Sequence, residues 1–159
     1  MQKLPHYIRE ISCRLHQSAM AHGVYCYWIG NSRGAMWGSY VAHKHPEWFR
    51  GFLLVGGYPL YTAEASQMKC AQQLMQSHAR IAVLHSTDDV HSNPRIHNMY
   101  WTPLLNADFG FSLGQKSSRC NVYSLKAISH DELNIFCRGV GDASALFKNM
   151  WAFVAQGWD

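Results

Sequence analysis

The chain has 159 residues, of which 48% are hydrophobic and 15% charged, and its formal net charge is +4 at pH 7. This composition is typical of one compact globular domain and excludes a disordered chain. The Lys and Arg residues are scattered, so no basic stripe indicates a nucleic-acid partner, and no apolar run approaches the roughly 18–20 residues of a membrane span.

A helix and a strand are the first predicted elements. Apolar residues recur at helical spacing near the start: Leu4, Ile8, Ile11 and Leu15. They predict an amphipathic helix over 4–22 that ends at Gly23. Residues 24–29 then form an aromatic and β-branched run, which is typical of a buried strand.

A helix is next predicted over 35–45, with Trp37, Tyr40 and Val41 as its apolar stripe. The next predicted elements are a strand over 51–55, a helix over 63–78, a strand over 81–84, a short helix within 94–106 and a surface segment over 108–118. A strand over 121–125 and a helical region from 132 follow, and this region is interrupted near 139–141. The last predicted helix covers 143–154 and buries one face: Phe147, Met150, Trp151 and Val154.

Strands that alternate with helices of this length predict an α/β fold with three layers, in which helices cover both faces of a mostly parallel sheet. Such sheets place their chemistry at the carboxyl ends of the strands. The residues that follow each predicted strand are therefore the candidates for catalysis.

The segment from Gly30 to Gly34 has the pattern G-x-S-x-G and lies between the first strand and the second helix. A tight strand-to-helix turn forces Ser32 outward from the sheet, where its hydroxyl is free to act as a nucleophile. Both glycines are expected because side chains there would collide in so sharp a turn. The alternative interpretation is that Ser32 is an ordinary turn residue.

Ser32, Asp89 and His130 follow the first, third and fourth predicted strands. Ser needs a base to take its proton, His titrates near neutral pH, and an acid holds the imidazole in one tautomer. The main-chain N–H of Arg33 is the expected oxyanion donor. Asp89 could instead be a turn former, with Asp88 as the competing acid, and His130 could be an exposed loop residue.

The chain resembles the carboxyl-terminal half of an α/β-hydrolase over nearly all of residues 1–159. Residues 28–34 resemble the nucleophile elbow of that family, and residues 45–52 resemble the following helix end and strand of its esterases. Residues 83–89 resemble the acid-bearing segment, with Ser86 where Gly is usual, and this register selects Asp89 as the acid. His130 with the next residue resembles the loop that bears the family's histidine.

This resemblance implies one domain with a partial α/β-hydrolase fold of about four strands. The strands of the front half, and with them the second oxyanion donor, have no counterpart in residues 1–159. The strand over 24–29 would then have an open edge that pairs with a missing segment or a partner chain. A fragment, half of a split hydrolase and a structural subunit of a larger assembly all fit.

The resemblance implies a serine hydrolase that cleaves a carboxylic ester or thioester of a small acyl substrate through an acyl-enzyme, with no cofactor. A peptidase of the prolyl-oligopeptidase type is a lesser option. The alternative from another class is a weakly active or inactive subunit that serves as an interaction module.

The cysteine and histidine patterns add compartment and metal predictions. Five cysteines without a C-x-x-C pair indicate free thiols: Cys13, Cys26, Cys70, Cys120 and Cys137. Together with the lack of a signal-peptide core in residues 1–23, they predict a cytoplasmic protein. The ten histidines include no H-E-x-x-H motif, so a metal-binding function is the weakest of the three hypotheses.

Overall fold

The computed structural model describes residues 4–57, 78–91, 120–126, 128–136 and 143–156. Its elements in chain order are α1 (His6–His22), β1 (Tyr27–Asn31), α2 (Arg33–Lys44), a 3₁₀ turn (Pro46–Trp48), β2 (Gly51–Val55), β3 (Arg80–Ser86), β4 (Cys120–Leu125), α3 (His130–Phe136) and α4 (Ala143–Ala155). The helix predicted over 63–78 lies outside the described residues except for its last residue. The segments predicted within 94–106, over 108–118 and near 139–141 also lie outside them.

The four strands form one parallel sheet in the order β1-β2-β3-β4. Strand β2 is buried along its whole length, as expected for a central strand of a parallel sheet covered on both faces. In the part of the chain that the structure describes, β1 pairs with β2 alone, so it forms one edge of the sheet.

Helices cover both faces of the sheet, which confirms the predicted three-layer α/β fold. Side chains of β2 alternate between two apolar clusters. Phe52 and Leu54 pack with α2 on one face. Leu53 and Val55 pack on the other face with residues of α3 and α4, among them Leu133.

The predicted start of the first strand, at residue 24, is wrong: β1 begins at Tyr27. Helix α1 ends at Gly23, whose φ of +64° is the left-handed region that favours glycine. The N–H of Val24 then donates to the carbonyl of Ala19 at 3.0 Å and closes the helix end. Because this N–H belongs to the helix cap, Val24 cannot enter the ladder, and it is exposed together with Tyr25.

The predicted stripe of α2 also needs correction. Trp37 and Tyr40 are only half-buried, and the buried face consists of small or compact residues: Ala35, Gly38, Ser39, Val41, Ala42 and His43. A Cβ added at Gly38 would lie 2.6 Å from Leu54 Cδ2. The helix therefore packs so close to the sheet that bulky side chains fit only at its flanks.

The face predicted for α4 is correct at Met150 and Val154, which are buried. Phe153 is buried as well, and Phe147 is partly buried against the same cluster. Trp151 instead lies half-exposed at the rim, where its ring meets Tyr27 edge-on with the centroids 5.0 Å apart.

His43 is buried in α2, and its ring Nδ1 lies 2.7 Å from the carbonyl oxygen of Ser39. Burial lowers the pKa of His43 from 6.5 to about 4. As the pH falls, the unfolded chain therefore binds this proton before the folded chain does. The stability that depends on neutral His43 is fully present above pH 6.5 and is lost as the pH falls toward 4.

At roughly 1.4 kcal/mol for each pH unit, we expect His43 to account for a loss of up to about 3 kcal/mol in unfolding free energy across this interval. Urea unfolding of the wild type and of His43→Gln at several pH values measures the difference. Burial also lowers the pKa of His45 and of His85. Both residues are present in the wild type and in the variant, so their contributions to the pH dependence cancel in the difference. An equal pH slope in the two proteins contradicts the prediction.

The structure bears on the predictions of free thiols and of no membrane span. Cys13, Cys26 and Cys120 are not joined in disulfide bonds, and Cys70 and Cys137 lie outside the described residues. None of the described helices combines the length and apolar character needed to cross a bilayer. The cytoplasmic location stays a prediction.

Candidate active site

Ser32 occupies the turn between β1 and α2 in a strained backbone conformation. Its φ of +50° makes it the one non-glycine residue with positive φ in the described part of the chain. Its N–H donates to the Val55 carbonyl at 2.8 Å, and its own carbonyl accepts from the Met36 N–H at 3.0 Å. Strain of this kind persists where surrounding structure enforces it, and it is concentrated at functional sites.

The two glycines of the pentapeptide differ in their need to be glycine. A Cβ at Gly30 would lie 2.7 Å from the Ala35 nitrogen and even closer to the Gly34 carbonyl. A Cβ at Gly34 would meet nothing within 4 Å, because this residue already lies in the first turn of α2. The crowding expected at both glycines is therefore correct for Gly30 and wrong for Gly34.

A third glycine, which the sequence pattern did not reveal, supports the turn from the neighbouring strand end. A Cβ at Gly57 would lie 2.7 Å from the Met36 nitrogen and 2.8 Å from the Ala35 Cβ. Gly57 follows β2, so the backbones of two neighbouring strand ends approach closely beneath Ser32.

Of the two adjacent aspartates after β3, Asp89 faces the site. Its side chain is completely buried. Asp88 is exposed; its carboxylate accepts a hydrogen bond from the Thr87 hydroxyl at 3.2 Å, and its N–H donates to Ser86 Oγ at 3.2 Å. These local bonds hold the turn so that the carboxylate of Asp89 enters the site.

His130 is the first residue of α3 rather than a loop residue as predicted. Ser129 and Glu132 form a reciprocal cap: Glu132 Oε2 accepts from the Ser129 N–H at 2.7 Å, and Ser129 Oγ accepts from the Glu132 N–H at 3.3 Å. These bonds from Ser129 lower the pKa of the Glu132 carboxyl. The cap fixes the first residue of α3 and thereby the position from which the His130 side chain projects.

Of the three side chains predicted to work together, that of His130 lies within hydrogen-bond distance of both others. His130 Nδ1 lies 2.7 Å from Asp89 Oδ2, and His130 Nε2 lies 2.7 Å from Ser32 Oγ. With the Nδ1 proton directed to the carboxylate, Nε2 is left to accept the Ser32 hydroxyl proton. His130 is 14% exposed, so the pair with Asp89 is largely shielded from water.

Two further histidines surround Asp89, and sequence reasoning assigned neither to the site. The His91 N–H donates to Asp89 Oδ1 at 2.8 Å. His85, buried in β3, has its pKa lowered by burial, while the negative charge of Asp89 acts in the opposite direction. Asp89 therefore has separate partners at its two oxygens, and the buried imidazole of His85 lies nearby on the preceding strand, β3.

No group of three or more His, Cys, Asp or Glu side chains that could hold a metal ion occurs within the described ranges. The candidate site instead offers a hydroxyl, an imidazole and a carboxylate that are joined in a row by hydrogen bonds. Chemically, this set can transfer the hydroxyl proton to the imidazole and stabilise the resulting cation.

No protein-family model matches this chain, and no curated protein matches it. Solved structures do match. They include an α/β-hydrolase enzyme, MGS-MChE2, from the metagenome of lagoon sediments of Mar Chica, Morocco (TM-score 0.54, 10% identity). A serine-to-alanine variant of the feruloyl esterase module from Clostridium thermocellum, complexed with sinapinate, has a TM-score of 0.57 at 8% identity. Paleococcus ferrophilus monoacylglycerol lipase has a TM-score of 0.54 at 11% identity.

These matches cover 91%, 96% and 92% of this chain but only 69%, 57% and 76% of the respective known proteins. The chain thus spans between about half and three quarters of their length. At such low identity, the likeness establishes the fold, which agrees with the resemblance seen in the sequence. The chain has a partial α/β-hydrolase fold.

Proposed function

We propose that the protein is a serine hydrolase that cleaves a carboxylic ester or thioester through an acyl-enzyme. In this proposal, Ser32 attacks the acyl carbon and His130 takes the hydroxyl proton and then delivers it to the leaving group. Asp89 orients His130 and stabilises its cation, and water completes the cycle by hydrolysing the acyl-enzyme. The observation that carries the proposal is the pair of 2.7 Å hydrogen bonds that His130 makes to Ser32 and Asp89.

The oxyanion of the tetrahedral intermediate needs donors, and Arg33 supplies the first in this proposal. Arg33 begins α2, where main-chain N–H groups have no acceptor inside the helix. The positive end of the helix dipole lies at the same point. One such donor is typically worth roughly 100- to 1,000-fold in rate, so a second donor from elsewhere would strongly raise activity.

The proposed substrate class is an ester of a small molecule. Two of the similar structures are named as a feruloyl esterase and a monoacylglycerol lipase, which are enzymes of ester substrates. Both names agree with the chemistry of an activated serine, which attacks an acyl carbon. A thioester presents the same acyl carbon, so thioesters belong to the proposed substrate class as well.

A fluorophosphonate probe tests the proposal, because it reacts with a serine only when a base activates it. We expect the folded protein to be labelled at Ser32 and the variant Ser32→Ala to remain unlabelled, with mass spectrometry locating the adduct. Ser39→Ala is the matched control, since Ser39 is buried in α2 and bonds the Ala35 carbonyl. Labelling that survives Ser32→Ala, or its absence from the folded wild type, contradicts the proposal.

The open edge of β1 supports a further part of the proposal: a preceding segment or a partner chain adds a strand there. Ile29, in the middle of β1, is 50% exposed. The side-chain nitrogen of Asn31, Nδ2, at the end of β1, is buried without an acceptor among the described residues. An apolar edge with unpaired backbone groups is a template for another strand.

This edge also favours the second candidate function, that of an inactive module within a larger assembly. Sedimentation together with the labelling experiment separates the two functions. A folded chain that associates through this edge but is never labelled favours the module, whereas labelling favours the hydrolase. A stable monomer contradicts an obligate partner at the edge.

A further inference from the structure

His91 contacts both the acid and the base of the proposed site, although it lies outside the three residues assigned to catalysis. Its N–H donates to Asp89 Oδ1 at 2.8 Å. Its imidazole ring meets the ring of His130 edge-on, with the centroids 5.0 Å apart and the planes inclined by 62°. One residue therefore touches the oxygen of Asp89 that His130 leaves open and also the His130 ring itself.

The two contacts depend on different parts of His91. Any residue other than proline can donate the main-chain N–H, so this contact does not depend on the side chain. The ring contact requires an aromatic side chain, because an edge-on pair gains from the quadrupoles of two rings. His91 is otherwise exposed, so burial of the residue does not account for the position of its ring.

We propose that His91 is a positioning residue whose ring holds the His130 imidazole in the orientation that faces Ser32. This role of His91 rests on the proposed function, in which His130 is the base. His130 is held at Nδ1 by Asp89, but one hydrogen bond leaves the ring free to tilt about that bond. The ring of His91 limits this tilt and keeps Nε2 within reach of the Ser32 hydroxyl.

Two substitutions separate the contribution of the His91 ring from that of its main-chain N–H. His91→Ala keeps the N–H and removes the ring, and we expect it to slow fluorophosphonate labelling about 3- to 10-fold at saturating probe with little change in probe affinity. His91→Phe restores an aromatic edge, and we expect its labelling rate to lie within twofold of the wild type. His6→Ala is the matched control, because His6 is 91% exposed on α1.

Proton NMR of the His130 ring gives a readout that needs no activity. In the wild type we expect a downfield, slowly exchanging Nδ1–H signal from the bond to Asp89. This signal should broaden or exchange faster in His91→Ala and persist in His91→Phe. Circular dichroism confirms that each variant is folded.

The outcomes distinguish failure of the His91 role from failure of the proposed function. A wild-type signal that His91→Ala leaves unchanged, together with an unchanged labelling rate, overturns the role of His91 alone. A His91→Phe variant as slow as His91→Ala also overturns it, because the aromatic edge would then not matter. Absence of both the signal and the labelling from the wild type overturns the proposed function and this inference with it.

Discussion

Asp89→Asn is expected to slow fluorophosphonate labelling of Ser32 by a factor on the order of 10⁴. The carboxylate of Asp89 accepts from His130 Nδ1 at 2.7 Å and is completely buried. An amide that turns its NH₂ group toward this nitrogen stabilises the tautomer with the proton on Nε2. His130 can then no longer accept the Ser32 proton, although the shape of the site is kept.

Asp88→Asn is the matched control, because it makes the same chemical change one residue away. The Asp88 side chain is exposed and bonds the Thr87 hydroxyl. We expect its labelling rate to lie within about threefold of the wild type, as for most surface substitutions. The two rate constants, measured on folded proteins at one pH, decide which aspartate is the acid. Equal effects of both substitutions, or a larger effect of Asp88→Asn, would contradict the assignment of Asp89.

Much of the site could be predicted because its signals are local. The pentapeptide with Ser32 carries its own turn geometry, and residues at the ends of parallel strands must meet at one edge of the sheet. The pattern G-x-S-x-G alone did not show which of its two glycines is crowded. Ser32, Asp89 and His130 follow β1, β3 and β4 of one parallel sheet, and the alternation of helix and strand makes such a sheet predictable.

Other features depend on contacts between distant segments and left little trace in the sequence. Gly57 lies 25 residues after Ser32 in the chain, and only the folded sheet brings their backbones together. The ring contact between His91 and His130 likewise joins residues that are far apart in the sequence. By contrast, the cap of Ser129 and Glu132 has the readable S-x-x-E pattern, which predicts a helix beginning at His130.

The start of β1 shows how one hydrogen bond can override propensity. Val24 and Tyr25 favour strand, yet the N–H of Val24 closes the end of α1. In α2, Trp37 and Tyr40 were expected inside because they are apolar, but the short distance to the sheet admits only small residues. Apolar character predicted which elements form, whereas packing distance decided which faces are buried.

Gly30→Ala is expected to lower the unfolding free energy by about 3 kcal/mol and to reduce labelling of Ser32 sharply. The new methyl group would approach the Gly34 carbonyl and the Ala35 nitrogen, which are main-chain atoms and cannot move aside as a side chain does. Overpacking of this kind costs about 1–3 kcal/mol, and the rigid neighbours favour the upper end. The Gly34 carbonyl also accepts from Trp28 Nε1 at 3.0 Å, so its displacement weakens a second contact.

Gly34→Ala is the internal control for this change, since the same methyl group there meets nothing within 4 Å. Gly34 lies in the first turn of α2 without positive φ, so Ala should raise the unfolding free energy by about 0.5–1 kcal/mol through lower entropy of the unfolded chain. Urea unfolding should thus separate the two variants by about 4 kcal/mol. If they prove equally stable and equally reactive, close approach of the two backbones does not hold Ser32 in its strained conformation, and the hydrogen bonds of the Ser32 backbone to Val55 and Met36 must do so instead.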